Sequence, residues 1–391
     1  MSSYISSNAN RFYAALESSY GQVGAISAAN RIPALKLGIT QQLESVKRRD
    51  KTGSRTFAGA PPGGRRRTDF DLKTYMTTWP NGRPGPSYGP LFQAALGAAP
   101  MAFAGGTAAS GASAGRLAFQ APHNLAPGQA VACGGEIRFA AAIVDATTVQ
   151  LNAPFTIPPA TGGAVAAAVT YAPATALPSV SLFDYWSPAT AVQRLLCGAA
   201  VDQMDISING DFHEFHFRGL AQDVLDSSSF SSGQMGALQS FPAEPSLAAF
   251  DYSIVPGNMG QAWLGASPTQ FLTITSGTIT LKNNLDTREK EFGSSLPRAI
   301  SPGQRTVTAA FELFSMDDPA TQGLYQAARQ QSPISVMFQL GAQQGQLLGV
   351  YLQSAIPVAP EFDDSGNRLQ WQFRPARAQG TLDNEIAVAF G

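Results

Sequence analysis

The stretch Gly210–Arg218, GDFHEFHFR, holds two of the chain's three histidines and a glutamate within four residues. Imidazole and carboxylate side chains this close could bind a divalent metal and support hydrolysis. The zinc-protease pattern, however, places its histidines four apart on one helix face, and His213 and His216 are three apart. On a strand, side chains alternate, so His213, Phe215 and Phe217 would share one face and Phe212, Glu214 and His216 the other. Glu214 and His216 could still meet one ion. Comparison of the chain with itself weighs against it: NGDFHEFHFR aligns with SGNRLQWQFR (Ser365–Arg374) at 366 − 210 = 156. His213 becomes Leu369, Glu214 becomes Gln370 and His216 becomes Gln372, whereas Phe215, Phe217 and Arg218 keep counterparts in Trp371, Phe373 and Arg374. The retained pattern is an aromatic core face ending in arginine, so a strand without metal or cofactor is expected.

Other chemistry has less to stand on. No GxSxG elbow and no GxxxxGK[ST] loop is present, and three histidines without a recognisable partner do not make a nucleophilic machine. EFDDSGN (Glu361–Asn367) clusters three acids, yet a calcium loop alternates ligands over about twelve residues and ends in glutamate; this segment has the composition of a turn. Nothing singles out a glycosidase-type carboxylate pair. Basic residues gather in two places. Lys47, Arg48 and Arg49 with Arg65, Arg66 and Arg67 flank one loop, and Arg288, Lys290, Arg298 and Arg305 mark another. A phosphate-contacting surface is one reading. Asp50, Asp69, Asp71, Asp286, Glu289 and Glu291 interleave with the bases, which favours solvated hairpin ends or a zone of salt bridges between subunits.

The elements that must position these residues are β-rich. Of 391 residues only 14% are charged, 44% are hydrophobic and the formal net charge is −1, which excludes a disordered chain and gives no global basic signal for nucleic acid. Frequent Gly and Pro with alternating polar and apolar residues indicate short strands and many turns. Cys133 and Cys197 are the only cysteines, too few for a disulfide scaffold or a cysteine-rich zinc site; reduced, mostly buried thiols are expected. The start, MSSYISSNANRF, lacks the basic and apolar regions of a signal peptide, and no apolar run reaches membrane-spanning length. Synthesis in a cytoplasm and no membrane insertion follow as expectations.

The chain is written twice. GPLFQAAL (Gly89–Leu96) resembles QGLYQAAR (Gln322–Arg329) at 324 − 91 = 233, and each reads as a short helix with a nearby Pro. Upstream, PPGGRRRTDFDLKTYM (Pro61–Met76) resembles SPGQRTVTAAFELFSM (Ser301–Met316) at 316 − 76 = 240. Phe70, Leu72 and Met76 would form one strand face, and Val307, Ala309, Phe311 and Leu313 its counterpart. LKLGITQQL (Leu35–Leu43) and FLTITSGTITL (Phe271–Leu281) precede them as further strands. Downstream, PSVSLF (Pro178–Phe183) matches PISVMF (Pro333–Phe338) at 155, and RLLCG matches QLLGV at 347 − 195 = 152. The drop from 233 to 155 leaves about 78 residues present only in the first copy.

Residues 98–177 therefore read as an inserted small β domain, entered through a flexible Gly/Ala/Ser run (Ala104–Gly115). Its lone His123 follows Pro122 in a turn and is expected at the surface. The organisation expected is a discontinuous first domain, 1–97 plus 178–228, the insert 98–177, a linker 229–250 and a second domain 251–391. NRFYAALESSYG (Asn10–Gly21) reads as an amphipathic helix with Asn10 as cap and Phe12, Leu16 and Tyr20 on one face.

Once the two copies are laid out, the chain resembles the major tail tube proteins of long, non-contractile bacteriophage tails, of the type with a duplicated tube domain. The resembling residues are Gly198–Ser228, Leu281–Phe314, and FDDSGNRLQWQF with AQGTLDNEIAVAF near the C-terminus. The resemblance implies an all-β fold with minor helices: two tandem β-sandwich or half-barrel domains, each with a flanking helix, plus the insert. It implies no enzyme activity and no cofactor. Six such domains close a ring, so a duplicated chain would form a trimer with pseudo-sixfold symmetry. The loops Lys47–Arg65 and Asp286–Gln304 would reach the neighbouring ring or subunit, and the insert would decorate the outside. Implied partners are further copies of itself, tape-measure, tail-tip and tail-terminator proteins, and genomic DNA passing without sequence specificity. The implied location is the virion tail, assembled in the host cytoplasm. The fold alone does not separate such tails from contractile tails or type VI secretion tubes. The alternative is a tail-tip receptor- or carbohydrate-binding β-protein using the insert as its binding module.

Overall fold

The computed structural model describes residues 4–44, 50–51, 53–56, 59, 64–80, 83, 85–236, 238–246, 252–288 and 290–391. Lys47, Arg48, Arg49 and Glu289, singled out above, lie outside the described residues. Two α-helices among those described accompany an otherwise β-rich chain, so the fold is all-β with minor helices, built on a half-barrel sheet.

The strands that carry the architecture are β1 (Asn10–Leu16), β2 (Ala34–Leu43), β3 (Arg66–Tyr75), β4 (Val180–Trp186), β5 (Arg194–Ile208) and β6 (Glu214–Ala221). After them come β7 (Gly260–Gly265), β8 (Ile274–Lys282), β9 (Thr306–Phe314), β10 (Ile334–Leu340), β11 (Leu348–Ala355), β12 (Glu361–Asp363) and β13 (Gln370–Gln379). Helix α1 (Gly89–Leu96) follows β3 and α2 (Pro319–Gln330) follows β9.

Antiparallel pairing runs continuously through β2, β3, β6, β5, β8, β9, β13 and β12. Sequence alternation decides the two faces of this sheet. Val307, Ala309, Phe311 and Leu313 are buried while the residues between them are partly exposed, as a half-buried strand requires. Phe70 and Leu72 do the same on β3, and Phe215 and Phe217 on β6. The buried face packs on α1, on α2 and on a second layer.

That second layer has two parts. β1 pairs with β4, and β4 with the first half of β5; β7 pairs with β10, and β10 with β11. β11 continues into Ala387–Phe390, then Ala168–Tyr171, then Met101–Phe103. Each part carries a bulge of the same form. Val180 faces Ala199 and Leu182 faces Leu196 in one; Ile334 faces Ala355 and Val336 faces Leu352 in the other. A second matched bulge lies in the main sheet, where Ala34 faces Thr74 and Lys36 faces Lys73, and Ile274 faces Leu313 and Ser276 faces Glu312.

Helix α2 begins as its sequence dictates: Asp318 accepts from Thr321 N at 2.8 Å with Pro319 in the first turn. Thr321, Leu324 and Ala328 form its buried stripe. Helix α1 is buried on most sides. It ends at Gly97, whose φ of +106° and 2.6 Å Cβ clearance from Ala176 O leave no room for a side chain.

Four expectations are corrected. Asn10–Leu16 is a strand, not the helix expected over Asn10–Gly21. Phe12 and Ala14 face the main core while Tyr13 packs with Phe183 and Tyr185 on the opposite side, and a run buried on both faces carries no period that separates strand from helix. The Gly/Ala/Ser run is tied down, with Gly106–Thr107 paired to Ala164–Val165 and Ala108 fully buried. His123 is buried rather than at the surface; Leu125 N donates to its Nδ1 at 2.9 Å, and its Nε2 lies 3.0 Å from Asp145 O. Glu361–Asp363 is a strand paired to β13 rather than part of a turn.

Residues 98–177 contain a four-stranded sheet, Arg116–Ala118, Thr148–Leu151, Glu136–Asp145 and Ala130–Cys133 in spatial order. It encloses its own core, including Leu117, Phe119, Val149 and Phe155. A further cluster joins Ile137 and Phe139 to Trp263, Met337 and Leu347, so this segment is packed against β7 and β10. The segment after residue 228 also packs: Phe230 and Phe241 lie on Tyr13, Phe183 and Tyr185, Tyr185 Oη donates to Pro242 O at 3.0 Å, and Glu244 accepts from Arg11 and Tyr13.

Candidate functional site

The face of the main sheet turned away from the core is polar along all eight strands. Strand alternation puts Lys36, Arg67, Lys73, Arg218, Lys282, Arg374 and Arg377 on it, together with Asp69, Asp71, Asp205, Glu214, Glu312, Glu361 and Asp363. Charges of both signs alternate across the face. Many are paired locally. Arg218 Nη2 lies 2.6 Å from Asp205, His216 Nε2 lies 2.9 Å from Asp71, Arg67 Nε lies 3.3 Å from Asp69, and Arg374 pairs with Glu361. Asp205 also accepts from Thr280 Oγ1 at 2.7 Å and from Gln203 at 2.9 Å. Although burial opposes the carboxylate, the hydrogen bonds from Thr280, Gln203 and Arg218 hold its pKa below the usual range. A shallow groove of about 800 Å³ runs over β2, β3 and β6 on this face. Its walls hold ion pairs rather than an activated nucleophile.

The histidine stretch resolves as strand alternation requires. His213, Phe215 and Phe217 are buried, Glu214 and His216 are half-buried and Arg218 is exposed. His213 Nε2 donates to Met259 O at 2.9 Å, while its Nδ1 is buried without a partner. His216 faces the other way, toward Asp71. Among the described residues no three His, Cys, Asp or Glu side chains gather to hold a metal. Trp371 and Phe373 are buried and Arg374 is exposed, the arrangement of Phe215, Phe217 and Arg218.

A family model described as phage tail tube protein matches residues 7–388. The chain belongs to the phage tail tube protein family. No curated protein matches it. Membership makes it a structural component of a viral tail, one that assembles with itself and other tail proteins into a tube; the family is structural rather than catalytic.

In this tail tube protein the basic loops meet at one end of the sheet. Arg66 N donates to Ser295 O at 2.9 Å and Arg65 Nη2 to Lys290 O at 3.4 Å. Arg66 also lies 3.6 Å from Asp223. Asp286–Thr287 pairs with Ile300–Ser301 to form a small hairpin, within which Arg288 is held by Glu291. Arg298 is exposed, as is Asp50. Arg305 stands apart from these loop charges. It is largely buried, donating to Glu385 at 2.5 Å, Asp383 at 2.6 Å and Ala174 O at 3.0 Å, and so clamps the C-terminal segment to the chain leaving residues 98–177.

Sequence reasoning missed the pairing of Asp205 with Thr280, and weighed Glu361 only as part of an acidic turn. The signal lay just upstream of the aligned stretches, since 361 − 205 equals the same 156 that relates Arg218 to Arg374.

Burial lowers the His213 pKa below 6.5, and the Met259 carbonyl only partly offsets it. The folded ring therefore stays neutral where the unfolded one takes up a proton. Stability should fall as pH drops below 6.5 and level off below the folded-state pKa. Thermal melts from neutral to mildly acidic pH should show this slope in the parent and a flatter one in His213→Leu, the residue carried at 369. Equal slopes would place the acid sensitivity elsewhere.

Proposed function

We propose that the chain is a duplicated tube module, that three copies close a pseudo-hexameric ring of a long non-contractile tail, and that stacked rings enclose a lumen for DNA. The modules are residues 1–97 with 178–228, and 251–391, joined by a linker at 229–250; residues 98–177 are an insertion on the outside. The observation that carries the reading is the pair of matched bulges. The β2–β3 bulge maps onto that of β8–β9 at 274 − 34 = 240 and 313 − 74 = 239. The β4–β5 bulge maps onto that of β10–β11 at 334 − 180 = 154 and 355 − 199 = 156. Bulges are specific features of a fold, and two at equivalent places argue for a common module. β1 and β7 then correspond as well, at 260 − 10 = 250.

Pairing also adjusts the sequence matches. Met76 is buried and Met316 is 55% exposed, because the register relates β3 to β9 by 239 rather than 240, and one residue of slip exchanges the faces. Leu195 likewise corresponds to Tyr351 rather than Leu347.

Each chain contributes eight strands to the wall, so three contribute 24. At about 4.8 Å per strand and a tilt of about 35–45°, such a barrel has a backbone diameter of about 45–50 Å, wide enough for a duplex. The polar face, with its charges of both signs, would line it. A wall of alternating charge gives a polyanion no continuous basic track to bind, which suits passage without sequence specificity. The paired loops at one end, with Arg65, Lys290 and Arg298, would meet the next ring. Tape-measure, tip and terminator proteins would set the length and ends, with assembly in the host cytoplasm. The chain would need no cofactor and perform no catalysis. Electron microscopy of the purified protein, with tail-tip complexes supplied as initiators, should reveal rings and tubes with threefold chain stoichiometry. A species that stays monomeric under those conditions would sink the reading.

A further inference from the structure

The bulge shared by the β4–β5 and β10–β11 pairs is plugged in one place and open in the other. On β5 it sets Cys197 and Gly198 against Ser181, and a carboxylate closes it. Glu17, 8% exposed, accepts from Ser179 Oγ at 2.6 Å and Ser181 Oγ at 2.7 Å. It also accepts from the backbone N–H groups of Gly198 and Gly21, each at 2.8 Å. Both carboxylate oxygens are thus satisfied from within the chain.

On β11 the bulge sets Gln353 and Ser354 against Ser335, and the plug is missing. Ser335 matches Ser181 at 335 − 181 = 154, and Ser354 matches Gly198 at 354 − 198 = 156. The counterpart of Glu17, at 267 − 17 = 250, is Ser267, exposed in the turn after β7. Its neighbours Ala266 and Pro268 border a cleft of about 710 Å³ that lies between residues 98–177 and the β10–β11 pair. That size is within the ~300–1,000 Å³ of small-ligand sites.

The walls of the cleft say what would fill it. Two bulge residues stand where a regular strand has one, so Gln353 and Ser354 both line the cleft, with Gln379 paired opposite Ser354. The side chains of Gln353, Ser354 and Gln379 and the Tyr351 hydroxyl hydrogen-bond to none of the described residues. Tyr351 is half-buried, stacked on Phe139 at 5.5 Å and 25°. None of the described residues lining the cleft is charged. A wall without charge gives an ionic ligand nothing to offset its lost hydration. Side-chain amides carry a donor and an acceptor side by side, which suits adjacent hydroxyls of a sugar ring. An aromatic side chain suits the C–H edge of that ring.

We propose that this cleft binds an uncharged saccharide, with Gln353, Ser354 and Gln379 on its hydroxyls and Tyr351 against its ring. The comparison with Glu17 rests on the duplicated-module reading, whereas the chemistry of the cleft stands without it. Tyr351 packs with Phe139 and Trp263 on the side of the second layer away from the main core. On the tube reading, the site therefore opens on the outer wall.

The test is an array of neutral and acidic oligosaccharides probed with the full chain. Signal is expected on neutral members alone. The strongest of these, titrated calorimetrically, should bind about tenfold or more weakly to Gln353→Ala/Gln379→Ala, the loss that goes with two hydrogen bonds. Gln353 and Gln379 are exposed, so this variant should keep the parent's circular dichroism and melting temperature. Gln344→Ala, exposed in the turn between β10 and β11, should bind as the parent does. No signal on neutral sugars, equal signal on acidic ones, or unchanged affinity in the double variant overturns the proposal. Microscopy of the same preparations separates this from the tube reading. Tubes that bind no sugar leave that reading standing, and a sugar-binding chain that never assembles overturns it alone.

Discussion

An Arg138→Ala chain is expected to lose about 3–5 kcal/mol of stability, the cost of breaking a buried ion pair from one side. The Arg138 side chain is 0% exposed. All five of its guanidinium donors are used: on Pro154 O at 2.9 Å, Ile137 O at 2.7 Å, Gln339 Oε1 at 3.0 Å, Glu136 Oε2 at 3.0 Å and Gln261 Oε1 at 2.9 Å. The group lies between the rings of Phe155 and Trp263, 5.4 and 5.1 Å from their centroids. Burial pulls its pKa down to about 10, the nearby Glu136 opposing, so it stays charged at neutral pH. Removing it strands Glu136 near the apolar interior, with Thr156 N at 2.8 Å and Gln261 Nε2 at 2.9 Å as its remaining donors.

Because Gln339 sits on β10 and Gln261 on β7, the same loss should loosen residues 98–177 from those two strands. Urea midpoints should fall, and limited proteolysis should cut first within that segment. Arg138→Lys should not rescue, since an ammonium cannot fill five fixed donor positions. Adding Glu136→Gln to Arg138→Met should recover part of the loss, because both charges then leave the interior together. An Arg138→Ala protein within about 1 kcal/mol of the parent, the worth of an ordinary hydrogen bond, would mean that the network is not what holds residues 98–177 in place.

Phe92→Ala is expected to cost a similar amount, about 3–5 kcal/mol, through lost burial and the cavity left behind. Phe92 is fully buried in α1. Its ring stands edge-to-face against Phe215, Phe217 and Phe390 at 5.2, 5.4 and 5.1 Å, with Tyr171 at 6.2 Å. Those partners come from β6, from the C-terminal strand and from the strand leading out of residues 98–177. One aromatic side chain thus joins segments that are remote in the sequence, and such contacts cannot be replaced by local repacking. Phe92→Leu, which keeps much of the volume, should lose far less. The comparison is read from urea denaturation at constant slope. A loss below about 1 kcal/mol for Phe92→Ala would show that the cluster collapses around the gap.

Much of the fold was legible because it is written in short-range patterns. Val307, Ala309, Phe311 and Leu313 announce a half-buried strand by period two, and Pro319 marks the first turn of a helix. The alternation in GDFHEFHFR was legible too, since period two places His213, Phe215 and Phe217 on one face and Glu214 and His216 on the other, as the burial shows. Where a segment is buried on both sides, as at Phe12–Ala15, the period vanishes and the helix expectation failed. His123 was misjudged for a related reason: a turn composition gives no hint that Asp145 O and Leu125 N will close over the ring.

By itself, the sequence determined the all-β class and the kinship with tail tube proteins, because alternation, turn residues and the order of elements are local properties of the chain. Tertiary structure alone decided the registers between distant strands and the docking of residues 98–177 through Arg138. It also decided the union of Asp205, Arg218 and Thr280 into one trio. Each of these is a pairing between distant segments, and a one-residue shift in any of them exchanges the core face for the polar face without altering a letter of the pattern.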